Sequence, residues 1–306
     1  AGDDKSEWKS AKRRSFQRLG IMASTTRNVS VLTDGGDTTF AGTTSTTIRD
    51  YSDVADTVDL TNTFPSNYHT RMLGGDDNVT LSNVNLGGYS NKVNGNLGSD
   101  TIKSKAGSIT RDFILGGSEG DRIDLSNSTS GYDWQNGNNG DDTIIGANST
   151  KMSILRGGSE IDYIQINAGS QHIAVGDLGK DTINLVGVGR VVCRTDNGAA
   201  AQNIGDTDRI LNFDGAFDKA YIPGVGSVGY LGIQQIGGST YLSSKQFTNG
   251  TTGFRYIAEF VGRTADQVRG YINGGAIIIG DRADNALAAL TPGNFLNNPT
   301  LGGQFV

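Results

Sequence analysis

Apolar and polar residues follow a pattern that repeats about every 20 positions through the middle of the chain. One aspartate marks each repeat, and an apolar residue follows two positions later in most of them. The aspartates are Asp56, Asp77, Asp100, Asp121, Asp142, Asp162, Asp181 and Asp208. Successive aspartates are 21, 23, 21, 21, 20, 19 and 27 residues apart. A period of this length is typical of a solenoid, in which each coil stacks only on its neighbours.

The residues around each aspartate predict a tight corner between two short strands. A glycine stands five residues before the aspartate in most units, followed by Asn, Gly or Asp, which tolerate positive φ. Apolar residues lie two positions after the aspartate, as Ile102 and Ile123 do. Others lie eight positions before it, namely Phe113, Trp134, Ile154 and Ile173. We expect both sets to face inward and to stack from coil to coil.

The sequence therefore predicts an all-β fold, a right-handed parallel β-solenoid of the β-roll type with about 21 residues per coil. A short N-terminal helix and a small β-rich C-terminal cap flank it. The expected segments are a basic amphipathic N-terminal helix or arm (1–27), lead-in strands and N-terminal coils (28–70), the solenoid (71–222), a β-helix-β cap (223–283) and a C-terminal tail (284–306).

The glycine and aspartate spacing resembles the nonapeptide G-G-x-G-x-D-x-U-x of the RTX, or hemolysin-type calcium-binding, family. The segment "GDTDRILNFDGAFDKAYIPG" is similar to the phrase that closes RTX rolls, and "RYIAEFVGRTADQVRGYI" to the β-helix-β piece that follows them. Thr264 and Gln267 in the second phrase form a capping-box pattern for a helix. The resemblance covers about residues 50–222 and implies a calcium-binding β-roll exported from bacteria.

The repeats depart from the family pattern in ways that affect metal binding. The motif occupies one edge of each coil, and Glu119 and Glu160 replace a corner glycine. The resemblance implies calcium at the stacked aspartates, since calcium takes six to eight oxygen ligands. The candidate ligands are Asp77, Asp100, Asp121, Asp142, Asp162 and Asp181. The alternative is a metal-free ladder in which each aspartate accepts hydrogen bonds from its own turn.

Composition and charge narrow the class of partner. The 306 residues include 45 glycines and four prolines, which favours tight turns between regular strands. Residues 1–27 carry a net charge of +4 and the remainder −10, which argues against nucleic acid as a partner of the body. No apolar stretch is long enough for a membrane span, and a single cysteine forms no internal disulfide.

We expect no enzymatic activity and no catalytic residues. The two histidines, His69 and His172, occur in neither a zinc-protease motif nor a serine-hydrolase motif, and His172 is expected to be structural. Cys193 lies in an apolar run typical of a buried thiol. A polysaccharide-acting enzyme is the less favoured alternative, with Arg156, Glu160 and Asp162 as its nearest candidate residues.

The ends of the chain suggest an assembled protein. Residues 5–22 place apolar residues at helical spacing among basic ones, and this helix could cap its own solenoid, dock on a neighbouring subunit or contact anionic lipid. We predict a secreted structural protein of the bacterial exterior, which forms a filament, sheath or surface layer through solenoid ends and docked termini. The alternative is a calcium-binding adhesin or ligand-binding module.

Overall fold

A computed structural model describes residues 25–28, 47–61, 68–85, 89–195, 201–246 and 252–291. The predicted helix at residues 5–22 lies outside these ranges, as do residues 292–306 of the predicted tail.

Two 11-stranded sheets face each other, and successive strands of the solenoid alternate between them. Sheet 1 runs, in spatial order, β1 (Thr25–Asn28), β2 (Thr47–Asp50), β4 (Tyr68–Arg71), β6 (Tyr89–Leu97), β8 (Arg111–Ser118), β10 (Trp134–Asn139), β12 (Ile154–Ser159), β14 (Gln171–Leu178), β16 (Val188–Val192), β18 (Lys219–Ile222) and β22 (Ile277–Ile279). Sheet 2 runs β3 (Thr57–Asp59), β5 (Asn78–Thr80), β7 (Thr101–Lys103), β9 (Arg122–Asp124), β11 (Thr143–Ile145), β13 (Tyr163–Ile166), β15 (Thr182–Leu185), β17 (Arg209–Leu211), β21 (Thr252–Phe260), β20 (Ser239–Gln246) and β19 (Leu231–Ile236).

This arrangement confirms the predicted parallel β-solenoid of about six coils with about 21 residues each. The apolar residue two positions after each aspartate forms a straight stack inside it. Ile102 aligns with Ile123, which aligns with Ile144, and the stack continues in the next coils. These side chains are completely buried, and each contributes on the order of 1.5–3 kcal/mol to stability. Repetition of one apolar position therefore builds the core.

The prediction that the large apolar residues eight positions before the aspartates face this core is wrong. Successive strand residues point to opposite faces, and Ile114 and Leu155 pack inside with sheet 2. Their neighbours Phe113, Trp134, Ile154 and Ile173 form a separate cluster on the outer face of sheet 1. Both faces of this sheet are buried and apolar, so alternation alone cannot distinguish inside from outside.

The C-terminal part adds β-hairpins and two helices to the end of the solenoid. Strands β19, β20 and β21 are antiparallel to one another, and β21 joins sheet 2 beside β17. The predicted β-helix-β piece is confirmed as β21, helix α1 (Ala265–Asn273) and β22, with the predicted capping box at Thr264 and Gln267. A further helix, α2 (Asp281–Ala289), spans the boundary expected between cap and tail and packs on the outer face of sheet 1.

Candidate functional site

Each coil passes from sheet 1 to sheet 2 through a corner that contains two residues with positive φ. In the corner before Asp100 these are Asn96 (φ 79°) and Gly98 (φ 113°). In two other corners, Glu119 (φ 71°) and Glu160 (φ 85°) occupy the position equivalent to Gly98 and keep a positive φ. The corner geometry is therefore kept where the sequence departs from the glycine pattern, with local backbone strain.

The repeated aspartates form a continuous hydrogen-bonded stack, which we call the aspartate ladder. In each step, Oδ1 of one aspartate accepts a hydrogen bond from the backbone N–H of the aspartate one coil earlier. The seven donor–acceptor pairs are Asp56–Asp77 (2.6 Å), Asp77–Asp100 (2.8 Å), Asp100–Asp121 (2.8 Å), Asp121–Asp142 (2.7 Å), Asp142–Asp162 (2.9 Å), Asp162–Asp181 (2.9 Å) and Asp181–Asp208 (3.0 Å). The acceptors thus link neighbouring coils rather than closing their own turns.

The second carboxylate oxygen of these aspartates is buried and has no hydrogen-bond partner among the described residues. This applies to Oδ2 of Asp77, Asp100, Asp121, Asp142, Asp162 and Asp181, the six residues that the sequence selected as metal candidates. The residues themselves are at most 3% exposed. Because buried oxygens are normally satisfied, these six require a proton, a cation or a water as a partner.

Glycine five residues before the aspartate makes room for this second oxygen. A Cβ atom built on Gly95 would overlap Oδ2 of Asp100 and also the carbonyl oxygen of Gly116 in the next coil. Gly137 has the same relation to Oδ2 of Asp142 and to the Gly157 carbonyl. Each of these glycines therefore has a carboxylate oxygen and a carbonyl oxygen close to it, and a proton or cation between two such acceptors would satisfy both.

Burial shifts the ladder aspartates into the neutral pH range. Desolvation raises the pKa of Asp77, Asp100, Asp142 and Asp181 to about 7. It raises the pKa of Asp121 and Asp162 to about 8, with neighbouring carboxylates adding to the effect. The ladder therefore changes its charge near pH 7, where free aspartate is fully ionised.

The oxygens of the ladder suit calcium in kind but fall short in number. Calcium binds carboxylate and carbonyl oxygens, and each interval between Asp100 and Asp162 presents one of each. Across the described ranges, no group of three or more His, Cys, Asp or Glu residues is placed to hold a metal ion. A calcium ion here would need further oxygens, from water or from corner carbonyls, to reach six to eight.

A second polar stack, which the sequence analysis missed, lies at the start of the sheet 1 strands. We call it the mixed ladder, and its members are Asn91, Asp112, Asp133, Ser153 and His172. The Asn91 side-chain amide donates to Asp112 Oδ1 (2.6 Å), and the Asp112 N–H donates to Asp133 Oδ1 (2.9 Å). The Asp133 N–H donates to Ser153 Oγ (3.1 Å). Its changing residue types hide the repeat in the sequence.

His172 ends this stack in a structural role. Its Nδ1 accepts a hydrogen bond from the Ser153 N–H (3.1 Å), so Nε2 carries the proton and donates to the Ala147 carbonyl (2.8 Å). Burial lowers the pKa of His172, which keeps the ring neutral. Both ring nitrogens are therefore engaged in holding coils together.

Arg156, one of the candidate residues for an enzyme, takes part in an ion pair. Arg156 binds Asp177 through two hydrogen bonds (2.7 and 2.6 Å), and Arg194 binds the same carboxylate. Arg156 and Arg194 thus share the Asp177 carboxylate. Cys193 is buried, and burial raises the pKa of its thiol, which favours the unreactive protonated form.

No protein-family model matches the chain, and no curated protein matches it significantly. None of the described helices is long and apolar enough to cross a membrane.

Proposed function

We propose that this chain is a secreted structural protein that self-assembles on or outside the bacterial cell, as a filament, sheath or surface layer. The observation that carries the proposal is the aspartate ladder, which repeats one residue and one hydrogen bond along a single axis. A residue that recurs in every coil serves the stacking of coils, whereas chemistry on one substrate needs different groups around one point. A stack of this kind can be extended by adding copies at its ends.

We further propose that calcium stabilises the solenoid at the aspartate ladder. Separate ions would be held along the stack, each by Oδ2 of one of Asp100, Asp121, Asp142 or Asp162 with the glycine carbonyl nearest to it. When bound, they would neutralise carboxylates that are otherwise neutralised by protons. This proposal fits an exterior location, where calcium modules bind with dissociation constants of about 10⁻⁴–10⁻³ M.

The assembly proposal is tested by electron microscopy and light scattering of the purified chain at pH 8, in about 1 mM calcium and in chelator. We expect elongated particles with calcium and shorter or fewer particles in chelator. The matched control carries Asp100→Asn, Asp121→Asn and Asp142→Asn, which keep Oδ1 as an acceptor but remove the charge. Monomers of 32.2 kDa under every condition would contradict self-assembly.

A surface groove supports the second candidate, a ligand-binding module or adhesin. It has a volume of about 540 Å³ and lies beside the first described corners. Asp53, Asp76 and Glu119 supply its carboxylates, and Leu73 and Leu97 its apolar surface. A monomer that binds a glycan in the presence of calcium, and loses binding when Leu97 is changed to Asp, would favour this function over assembly.

A further inference from the structure

We propose that strand β19 at the C-terminal end of one copy pairs with strand β3 at the N-terminal end of the next, so that sheet 2 continues from copy to copy. The inference rests on the proposed self-assembly and names the surfaces that carry it. Among the described strands, β19 and β3 are the two edges of sheet 2. An edge strand presents a row of N–H and C=O groups that another strand can bind.

Strand direction favours this head-to-tail pairing. All sheet 2 strands from β3 to β17 are parallel, and β21 is parallel to β17. Strand β20 is antiparallel to β21, and β19 is antiparallel to β20, so β19 runs in the same direction as β3. A second copy placed further along the axis with the same polarity would therefore add a parallel strand, as in the rest of the solenoid.

Several large apolar side chains in or beside β19 are exposed to solvent. Val228 (53% exposed), Tyr230 (45%) and Ile236 (43%) lie in or just before the strand. Phe254 (45% exposed) lies against Gly232 of β19. At the other end, Val54 (45% exposed) precedes β3. Apolar groups clustered beside an open edge are typical of protein interfaces.

The segments that contain the two edge strands also carry opposite charge. Residues 51–61, which contain β3, have three aspartates and no lysine or arginine. Residues 228–273, which contain β19 and α1, have four basic and two acidic residues. A β19–β3 joint brings these unlike charges together, whereas pairing of β19 with β19 around a two-fold axis would bring two basic ends together in antiparallel strands.

The joint is tested by cross-linking two single variants in calcium. Gln234→Cys introduces a thiol at an exposed position of β19, and Thr57→Cys introduces one at an exposed position of β3. With a short bismaleimide, we expect covalent dimers when the two variants are mixed and none with either variant alone. The unmodified chain gives the background, because Cys193 is buried.

The possible results separate the joint from the proposed function. If Gln234→Cys alone gives dimers, β19 pairs with β19 around a two-fold axis, and the head-to-tail joint is wrong. Particles that assemble without any cross-link between the variants would overturn the joint and leave self-assembly standing. If the unmodified chain forms no particles in any condition, both proposals fail.

A charge variant gives a second test that does not depend on thiols. Ile236→Asp places a negative charge opposite the acidic β3 end, and we expect it to raise the concentration needed for assembly on the order of tenfold or more. Asp59→Lys in the same chain should restore part of the loss. The control is Val186→Asp, at a site that is 51% exposed and distant from both edges, and it should leave assembly unchanged. Equal effects of Ile236→Asp and Val186→Asp would contradict the joint.

Discussion

The aspartate ladder and the mixed ladder both connect successive coils through hydrogen bonds, but they use different side chains. In both, a side chain in one coil accepts a hydrogen bond from the backbone of the preceding coil. The mixed ladder also satisfies its remaining oxygens internally, since Ser153 Oγ donates to Asp133 Oδ2 (3.1 Å) and Thr110 Oγ1 donates to Asp112 Oδ2 (3.1 Å). The aspartate ladder leaves Oδ2 without a partner in six coils. The aspartate ladder therefore leaves buried oxygens for a proton or a cation, whereas the mixed ladder pairs its own oxygens. Burial also raises the pKa of the mixed-ladder aspartates, to about 8 for Asp112 and about 6 for Asp133, so the contrast lies in the pairing of the oxygens.

The largest expected effect that exploits this contrast is a fall in stability with rising pH when divalent cations are absent. The ladder aspartates have folded-state pKa values of about 7–8, above the unfolded value of 3.8. The folded state thus binds more protons than the unfolded state, so stability present below about pH 4 is lost as pH rises towards about pH 8.

Thermal melts from pH 5 to pH 9 in chelator should show a melting temperature that drops by many degrees, and calcium at pH 8.5 should reverse the drop. A flat profile in chelator would mean that the buried oxygens are satisfied in another way, such as by ordered water.

The next effect tests the space that the aspartate ladder requires. Gly137→Ala places a Cβ atom where Asp142 Oδ2 and the Gly157 carbonyl lie, so we expect a loss of about 3 kcal/mol or more in the free energy of unfolding. The control is Gly238→Ala, where no atom lies within 4 Å of the added Cβ, and it should change stability little. Denaturant titration measures both, and similar losses would show that the corner has more room than the structure indicates.

At pH 8.5 in chelator, an Asp→Asn substitution should increase the free energy of unfolding in the aspartate ladder and decrease it in the mixed ladder. Asp142→Asn keeps Oδ1 and offers an amide N–H to the Gly157 carbonyl, so we expect a gain of about 1 kcal/mol. Asp133→Asn replaces the acceptor of the Ser153 hydroxyl with a donor, so we expect a loss of about 1–2 kcal/mol. Chemical denaturation gives both values, and a loss for Asp142→Asn would remove the distinction between the ladders.

The smallest effect concerns the strained corner residues of the aspartate ladder. Glu160 has positive φ and is exposed, so Glu160→Gly should increase stability by about 0.5–1 kcal/mol. Glu119→Gly should gain less, because the Glu119 carboxylate accepts a hydrogen bond from the Gly98 N–H (2.7 Å) in the preceding coil. Denaturation midpoints compare the two, and an equal gain would mean that the Glu119 hydrogen bond contributes nothing.

The regular spacing of the aspartates was sufficient to predict the solenoid and to select the residues of one ladder. It could not show that each Oδ1 accepts from the preceding coil, because that partner is about 20 residues away and depends on how coils stack. The mixed ladder was hidden for a different reason. Asp133, Ser153 and His172 share a position and a hydrogen-bonding role but no residue type, so a search for repeated letters does not find them.

The outer face of sheet 1 and helix α2 were missed because of how they are buried. Phe113 and Ile114 are neighbours on opposite faces and both are buried, so period-two alternation assigns neither to a side. Helix α2 buries Ala283, Ala286 and Ala289, whose small side chains give a weak amphipathic pattern. In both places the packing partner, and not the local sequence, decides which face is covered.

The amide-to-carboxylate hydrogen bonds of the aspartate ladder all point the same way, so the two ends of the stack differ. At the N-terminal side, the Asp56 carboxylate has no described coil before it and binds Ser52 within its own turn instead, through the backbone N–H (2.9 Å) and Oγ (2.7 Å). From there on, the backbone N–H of each ladder aspartate is paired by the aspartate of the following coil. Removal of any coil of the stack would therefore leave one buried ladder amide unpaired in the coil before it.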